Sequence, residues 1–305
     1  MDDHRMTAPV AAALVSVYFF WGTTYLAMKF AIETLPPFIM LGLRFTTAGA
    51  IMFVWEWIRL RPRISWGQWR GMAMVGALML LGGTGGVAWS EQVVPSNIAA
   101  IVVATVPLWI AIIRWVYLRH DRPARITIIG LVTGFGGIIM LVASTSGPSA
   151  AEGHITGLVV LGFATFLWAS GSLYSRVADQ PDSPALAISM QMLTGGLMNL
   201  VVGIAWNGGS LVPMSEVSIR SATALGYLVV FGSIVGFSSY IWLLKKTDPA
   251  LASSYAYVNP VVAIILGWVL AGESLNAGSL AATAVILLGV VMIVRGTVRP
   301  AIRSS

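Results

Sequence analysis

The sequence predicts an all-α polytopic membrane protein with ten transmembrane helices in two inverted five-helix repeats. Three observations carry that prediction. Only 10% of the 305 residues are charged while 57% are hydrophobic, and mean hydropathy is +0.83. A soluble domain carries about 25% charged residues. The apolar stretches are also long: residues 249–272 carry no charge, and after Glu273 neither do residues 274–294. Such runs fit helical spans of about 20 residues, not barrel strands of about 10, and they do not alternate. Finally, the chain matches itself when shifted. A shift of 147 places Trp21 on Trp168, Lys29 on Arg176, Pro37 on Pro184 and Gly49 on Gly196. A shift of 153 places Ala99 on Ala252, Pro107 on Pro260, Trp115 on Trp268 and Gly136 on Gly289. Five spans per copy is an odd number, so the second copy enters the membrane in the opposite sense.

In chain order, residues 7–28 form the first span, read as a retained helix and not a signal peptide because Trp21, Tyr25 and Lys29 follow the apolar run directly. Pro36-Pro37 stops it and opens the second span at 38–58. Arg59, Arg61, Arg63 and Arg70 make a basic loop. The third span is 71–90, with Gly82, Gly83, Gly85 and Gly86 toward its far end, and the fourth runs from Ser96 to about Tyr117. The fifth reaches Ala143. The Ser/Gly/Pro-rich stretch 144–154 is the linker between a first repeat, 7–143, and a second, 155–295. Spans six to ten occupy 155–175, 184–206, 221–244, 249–272 and 274–294.

Charge tests this count. With both termini on the cytoplasmic side, the outer loops and spans retain only Lys29, Arg44 and Arg220 of the 18 basic residues, while Glu33, Glu91, Glu152, Glu216 and Glu273 fall outside. The net charge of +6 and pI near 9.9 therefore reflect topology and not nucleic-acid binding. There is no cysteine, and His4, His120 and His154 are scattered, so no metal or cofactor is expected. No phosphate-cradling glycine loop points to ATP.

Within the spans, Arg44 stands out. A guanidinium in lipid costs from about 2.5 kcal/mol upward. It contacts a substrate carboxylate through its bidentate fork, pairs with Glu33, Glu91 or another outer group, or snorkels to the headgroups. Its repeat mate is Gln191, and the two could face one another across the central axis. Pro107 and Pro260 remove backbone donors and are expected to kink their helices. Asn259 either caps the freed carbonyls or binds substrate, and Thr105 is placed to do the same beside Pro107. Trp21, Thr24 and Tyr25 make a polar-aromatic patch on the first span, Trp168 its counterpart on the sixth, and Tyr255 and Tyr257 add aromatic area. These side chains either line a cavity or simply pack. Gly82 and Gly83 allow close helix packing or a bend during gating. No acidic residue reads as central: Glu56 sits near an inner end, Glu91 near an outer turn.

The chain resembles the drug/metabolite transporter superfamily, in the branch built from two EamA domains. The resemblance rests on Trp21-Gly22-Thr23-Thr24-Tyr25, Pro36-Pro37 followed by Arg44-Phe45, Pro95-Ser96-Asn97-Ile98-Ala99-Ala100 and Ala104-Thr105-Val106-Pro107-Leu108. The closing run from Ala252 through Tyr255, Tyr257, Asn259 and Pro260 to Gly272-Glu273 completes it. The family implies a central cavity, alternating access and export of amino acids or other small metabolites across the bacterial inner membrane, with helices 1, 3, 4, 6, 8 and 9 around the site. The expected partners are such a substrate and membrane lipid, with the chain a monomer or weak homodimer. Uptake, transport of other metabolites or drugs, and a passive channel are the alternatives; an embedded enzyme lacks a catalytic constellation.

Overall fold

A computed structural model describes residues 7–116, 125–145, 152–209, 213–246, 255–272 and 276–297. Ten helices run through them: α1 (Ala8–Ala31), α2 (Pro37–Leu60), α3 (Trp66–Ser90), α4 (Ser96–Val116), α5 (Arg125–Thr145), α6 (Glu152–Tyr174) and α7 (Pro184–Trp206), then α8 (Ile219–Tyr227, continued through Leu228–Val235 into Gly236–Lys246), α9 (Tyr255–Ala271) and α10 (Ala277–Thr297). Among the described residues there is no strand. Seven helices are long and apolar enough to cross a bilayer, and shorter apolar pieces at Arg125–Gly137, Val258–Ala271 and Ala277–Met292 accompany them. The expected all-helical membrane architecture is therefore present. Arg119, Glu273 and linker residues 146–151 lie outside the described residues, as do the side chains of Pro107 and Tyr257.

Local chemistry sets the ends. Pro37 occupies the first turn of α2 and Pro184 that of α7, where a missing N–H costs nothing. The α3 helix starts at Trp66, earlier than the expected Gly71. Ser65 accepts from the Gln68 N–H while the Gln68 side chain accepts from the Ser65 N–H, a capping box that draws Arg70 out of the basic loop and into the helix. Buried hydroxyls within the spans donate to carbonyls one turn back, as Ser90 does to Gly86 and Thr283 to Ser279. Such back-bonding satisfies them where water is absent.

The packing maps onto itself when the first five helices are exchanged for the last five. The α2 helix lies on α7 and α5 on α10; α1 packs on α8 and α9, while α6 packs on α3 and α4. The α2–α7 crossing is a backbone contact. A Cβ added to Gly196 would sit 2.5 Å from the Thr46 nitrogen, and one added to its mate Gly49 would sit 2.7 Å from the Leu193 nitrogen. Gly196→Ala should therefore lower stability by about 1–3 kcal/mol through overpacking. Gly136→Ala, whose Cβ meets nothing within 4 Å, should not. Thermal unfolding of both variants in detergent checks this, and equal midpoints would refute the close crossing.

The loops fall into two groups. At one end Ser65 donates to Asp179, Gln68 to the Gln180 carbonyl and Ser183 to Glu56 at 2.8 Å. At the other, Arg220 pairs with Glu33 at 3.0 Å, the Ser218 N–H donates to Thr34, Lys29 donates to the Glu91 carbonyl and the His154 ring meets the Val93 carbonyl. The first group joins the loops after α2 and α6, the second those around α1, α3, α5 and α7.

The structure details the places where bends were expected. The prolines do not act alike. At Pro107 the helix is interrupted at Ala104-Thr105, where Thr105 N–H reaches only Val102 O and Leu108 N–H only Thr105 O. At Pro260 the α9 helix continues without a break. Gly82 and Gly83 allow close packing, one of the two roles expected of them: they belong to a π-helical segment, Ala77–Thr84, closely covered by Leu167 and Trp168 of α6. A second π-helical segment, Leu228–Val235, occupies the corresponding place in α8.

Candidate functional site

A π-helical turn adds one residue to the helical circuit and leaves main-chain carbonyls displaced from their usual partners. In α8 this displacement has a visible use. The Trp21 indole N–H donates to the Gly232 carbonyl at 3.2 Å, and the Arg44 Nε donates to the Ser233 hydroxyl at 3.0 Å. Gly232 lies between the two helices that supply those side chains. A Cβ there would stand 3.0 Å from both an Arg44 terminal nitrogen and the Thr24 methyl.

Aromatic rings close around this point. Trp21 meets Tyr255 at 4.8 Å, Phe237 at 5.1 Å and Tyr240 at 5.1 Å between ring centroids, and Tyr240 meets Tyr255 edge-on at 5.6 Å. Thr24 donates to the Trp21 carbonyl, and Thr23 shares a 2.6 Å hydrogen bond with Tyr227. Asn259, with its amide nitrogen turned to α1, donates to Tyr255 O at 3.2 Å and Tyr18 O at 3.3 Å, so its side chain ties α9 to α1. Thr24, Tyr25, Arg44 and Asn259 are buried, while the rings of Trp21, Tyr240 and Tyr255 are half-buried, so the polar groups are enclosed and the aromatic wall is partly exposed.

Arg44 is 4% exposed. Its guanidinium lies 4.8 Å from the Phe45 ring centre. Ser233 is its one hydrogen-bond partner, leaving both terminal nitrogens without a hydrogen bond to a described residue. Glu33, one of its expected partners, belongs instead to Arg220. Glu91, the other, lies at the turn after α3, where it is fully buried, and acts on Arg44 and on Tyr25 electrostatically. Opposite charges about 4–8 Å apart are worth about 2–4 kcal/mol at an effective dielectric of about 20. Glu91→Gln should therefore destabilise the protein by about 2 kcal/mol, and less when Arg44→Gln is already present. Additive losses in that double-mutant cycle would show the two charges to be uncoupled.

The other half carries the same geometry with different chemistry. Trp168 of α6 packs on Gly83 in the π-helical segment of α3. Gln191 of α7, the mate of Arg44, donates to the Met79 sulfur of that segment at 3.8 Å. Arg44 and Gln191 thus each reach into the π-helical segment of the opposite half instead of facing one another. Thr105 lies apart from both clusters, donating to the Val102 carbonyl at 2.6 Å at the break in α4.

The structure therefore gathers Trp21, Thr24, Tyr25, Arg44, Tyr255 and Asn259, together with Tyr240 of the aromatic set and Glu91, a candidate partner of Arg44, and adds Gly232 and Ser233, which pattern reading did not select. Gly232 and Ser233 carry no charge or bulk to mark them.

Ten apolar helices around a polar-aromatic centre define a polytopic membrane protein with an internal site. A sequence model of the EamA-like transporter family matches residues 8–143 and again residues 155–295. An uncharacterised inner membrane transporter of Escherichia coli, YedA, is 35% identical over 299 residues, covering 96% of this chain and 92% of its own. Protein PagO of Salmonella typhimurium is 25% identical over 274 residues, 88% of each chain. A protein of known crystal structure, 20% identical, shares the fold with a TM-score of 0.64 over 95% of this chain and 99% of its own. The chain belongs to the EamA-like transporter family, within the drug/metabolite transporter superfamily. It is a membrane transporter.

Proposed function

We propose that this transporter exports amino acids, aromatic or other neutral ones foremost, or similar small metabolites, across the bacterial inner membrane by alternating access. The observation that carries this reading is Arg44: a buried guanidinium held by the Ser233 hydroxyl, with no hydrogen bond from its terminal nitrogens to a described residue, on the same π-helical segment that receives Trp21 of the aromatic cluster. Two parallel N–H donors match a carboxylate, and the rings match an apolar or aromatic side chain. Burial of the cluster's polar groups corresponds to a closed state, and rocking of residues 7–143 against 155–295 across linker 144–154 would open it to either side. The inner membrane is the location given for the Escherichia coli relative. Both termini face the cytoplasm in this reading, because the loops after α2 and α6 carry Arg59, Arg61, Arg63 and Arg176. One chain suffices to enclose the site.

Counterflow tests this reading. Purified protein in liposomes loaded with mixed L-amino acids should take up labelled Phe, Met, Leu or Thr faster than unloaded liposomes do, and the uptake should saturate. Absence of uptake for every amino acid by folded, inserted protein would move the substrate to other metabolites or drugs. Flux that does not respond to internal substrate would indicate a channel.

A further inference from the structure

Away from the centre, the α2–α3 corner is built in an unusual way. Phe53 and Trp57 stack at 5.7 Å on the last turns of α2, and Trp69 of α3 returns onto Phe53 at 5.7 Å. Between them the chain turns through Arg61 in the left-handed region, φ 44°, the one non-glycine residue with positive φ among those described. Two open grooves result. One, about 460 Å³, is lined by Phe53, Val54, Trp57, Ile64 and Trp69. The other, about 400 Å³, is lined by Trp57, Ile58 and Arg61. Trp57 is the wall they share, so an open apolar groove and a cationic one lie side by side on the surface.

The charges at this corner are not equivalent. Arg59 pairs with Glu56 at 3.4 Å, and Glu56 also receives the Ser183 hydroxyl. Arg61 makes no ion pair with a described residue, and it is exposed, as are Arg63 and Arg70. Glu56 is thus committed, as is Asp179, which receives the Ser65 hydroxyl at the start of α3, and the groove offers a cation.

We infer that the α2–α3 corner is a binding site for an anionic phospholipid, with an acyl chain against Phe53, Trp57 and Trp69 and the headgroup phosphate on Arg61. Basic pockets beside membrane helices bind anionic headgroups, and indole rings sit at the headgroup level. Charge complementarity selects phosphatidylglycerol over a zwitterionic lipid. The site is independent of the transport cluster and of what is transported.

Brominated lipids quench nearby indoles, and the difference between the wild type and Trp57→Phe isolates Trp57 from the other eleven tryptophans of the twelve. Brominated phosphatidylglycerol should quench this Trp57 emission at a mole fraction roughly fivefold lower than brominated phosphatidylcholine, the advantage of one basic residue at an anionic surface. Arg61→Gln should remove the preference while leaving quenching by phosphatidylcholine intact, and Arg61→Lys should keep it. Equal quenching by the two lipids in the wild type, or a preference unchanged in Arg61→Gln, would overturn the inference. Loss of the preference in millimolar inorganic phosphate would also overturn it, by showing a site for the free anion.

Discussion

Arg44→Lys should raise the half-saturation concentration for an amino-acid substrate by about tenfold to a hundredfold while the protein still folds. A hydrogen bond to a charged group is worth about 1.5–3 kcal/mol, and lysine keeps the charge but lacks the planar fork. The Nε bond to Ser233 orients that fork, so Ser233→Ala should move the same parameter in the same direction by less. Counterflow with labelled phenylalanine measures both. A substrate analogue without the carboxylate separates recognition from structure: discrimination between phenylalanine and phenethylamine should be present in the wild type and should collapse in Arg44→Lys. An unchanged half-saturation in Arg44→Lys, in protein of unchanged thermal midpoint, would make the residue structural and return the substrate question to the aromatic wall.

The second large effect is expected at Trp21. Trp21→Ala should cost about 3 kcal/mol of stability, the low end of the range for removing a core aromatic, because Trp21 is half-buried. The indole touches Phe237, Tyr240 and Tyr255 and donates to Gly232, so its loss opens a void between α1, α8 and α9 and strands a carbonyl of the π-helical segment. Trp168→Ala is the matched comparison. Its mate position packs on Gly83 without an aromatic cage, and it should cost distinctly less. Thermal unfolding of the two variants side by side measures the difference. Equal losses would mean that the two halves are energetically alike and that the asymmetry between Arg44 and Gln191 has no counterpart in packing.

That asymmetry shows how function sits on a duplicated frame. Both halves send a tryptophan and a polar residue into a π-helical segment of the other. In one the polar residue is Arg44 on a serine, in the other Gln191 on a methionine sulfur. The geometry is shared while the charge lies on one side, so the carboxylate site proposed at Arg44 would have no counterpart in the other half.

Much of this protein was determined by its sequence alone. A chain with so few charges cannot bury its apolar runs in a soluble core, so lipid and helix follow from composition. Repeat spacing and an odd span count then dictate the exchange of halves seen in α2 on α7 and α5 on α10. Arg44 and Asn259 were legible because polar groups are costly inside a membrane and need a reason to be there, and Trp21 and Tyr25 because the polar tips of their rings need a partner. What only the tertiary structure decided is how those groups are held. The π-helical segments arise where α3 and α8 are packed against the opposite half, and no residue pattern within 77–84 or 228–235 announces them. Gly232 matters for the space it leaves to Arg44 and Thr24, a property of three helices at once. Glu91 lies at the turn its place in the sequence suggests, but its burial there, with its carbonyl taken by Lys29 of α1, is a property of the packing. Local spacing tells which face of a helix a residue occupies; which neighbour covers that face depends on contacts far apart in the chain.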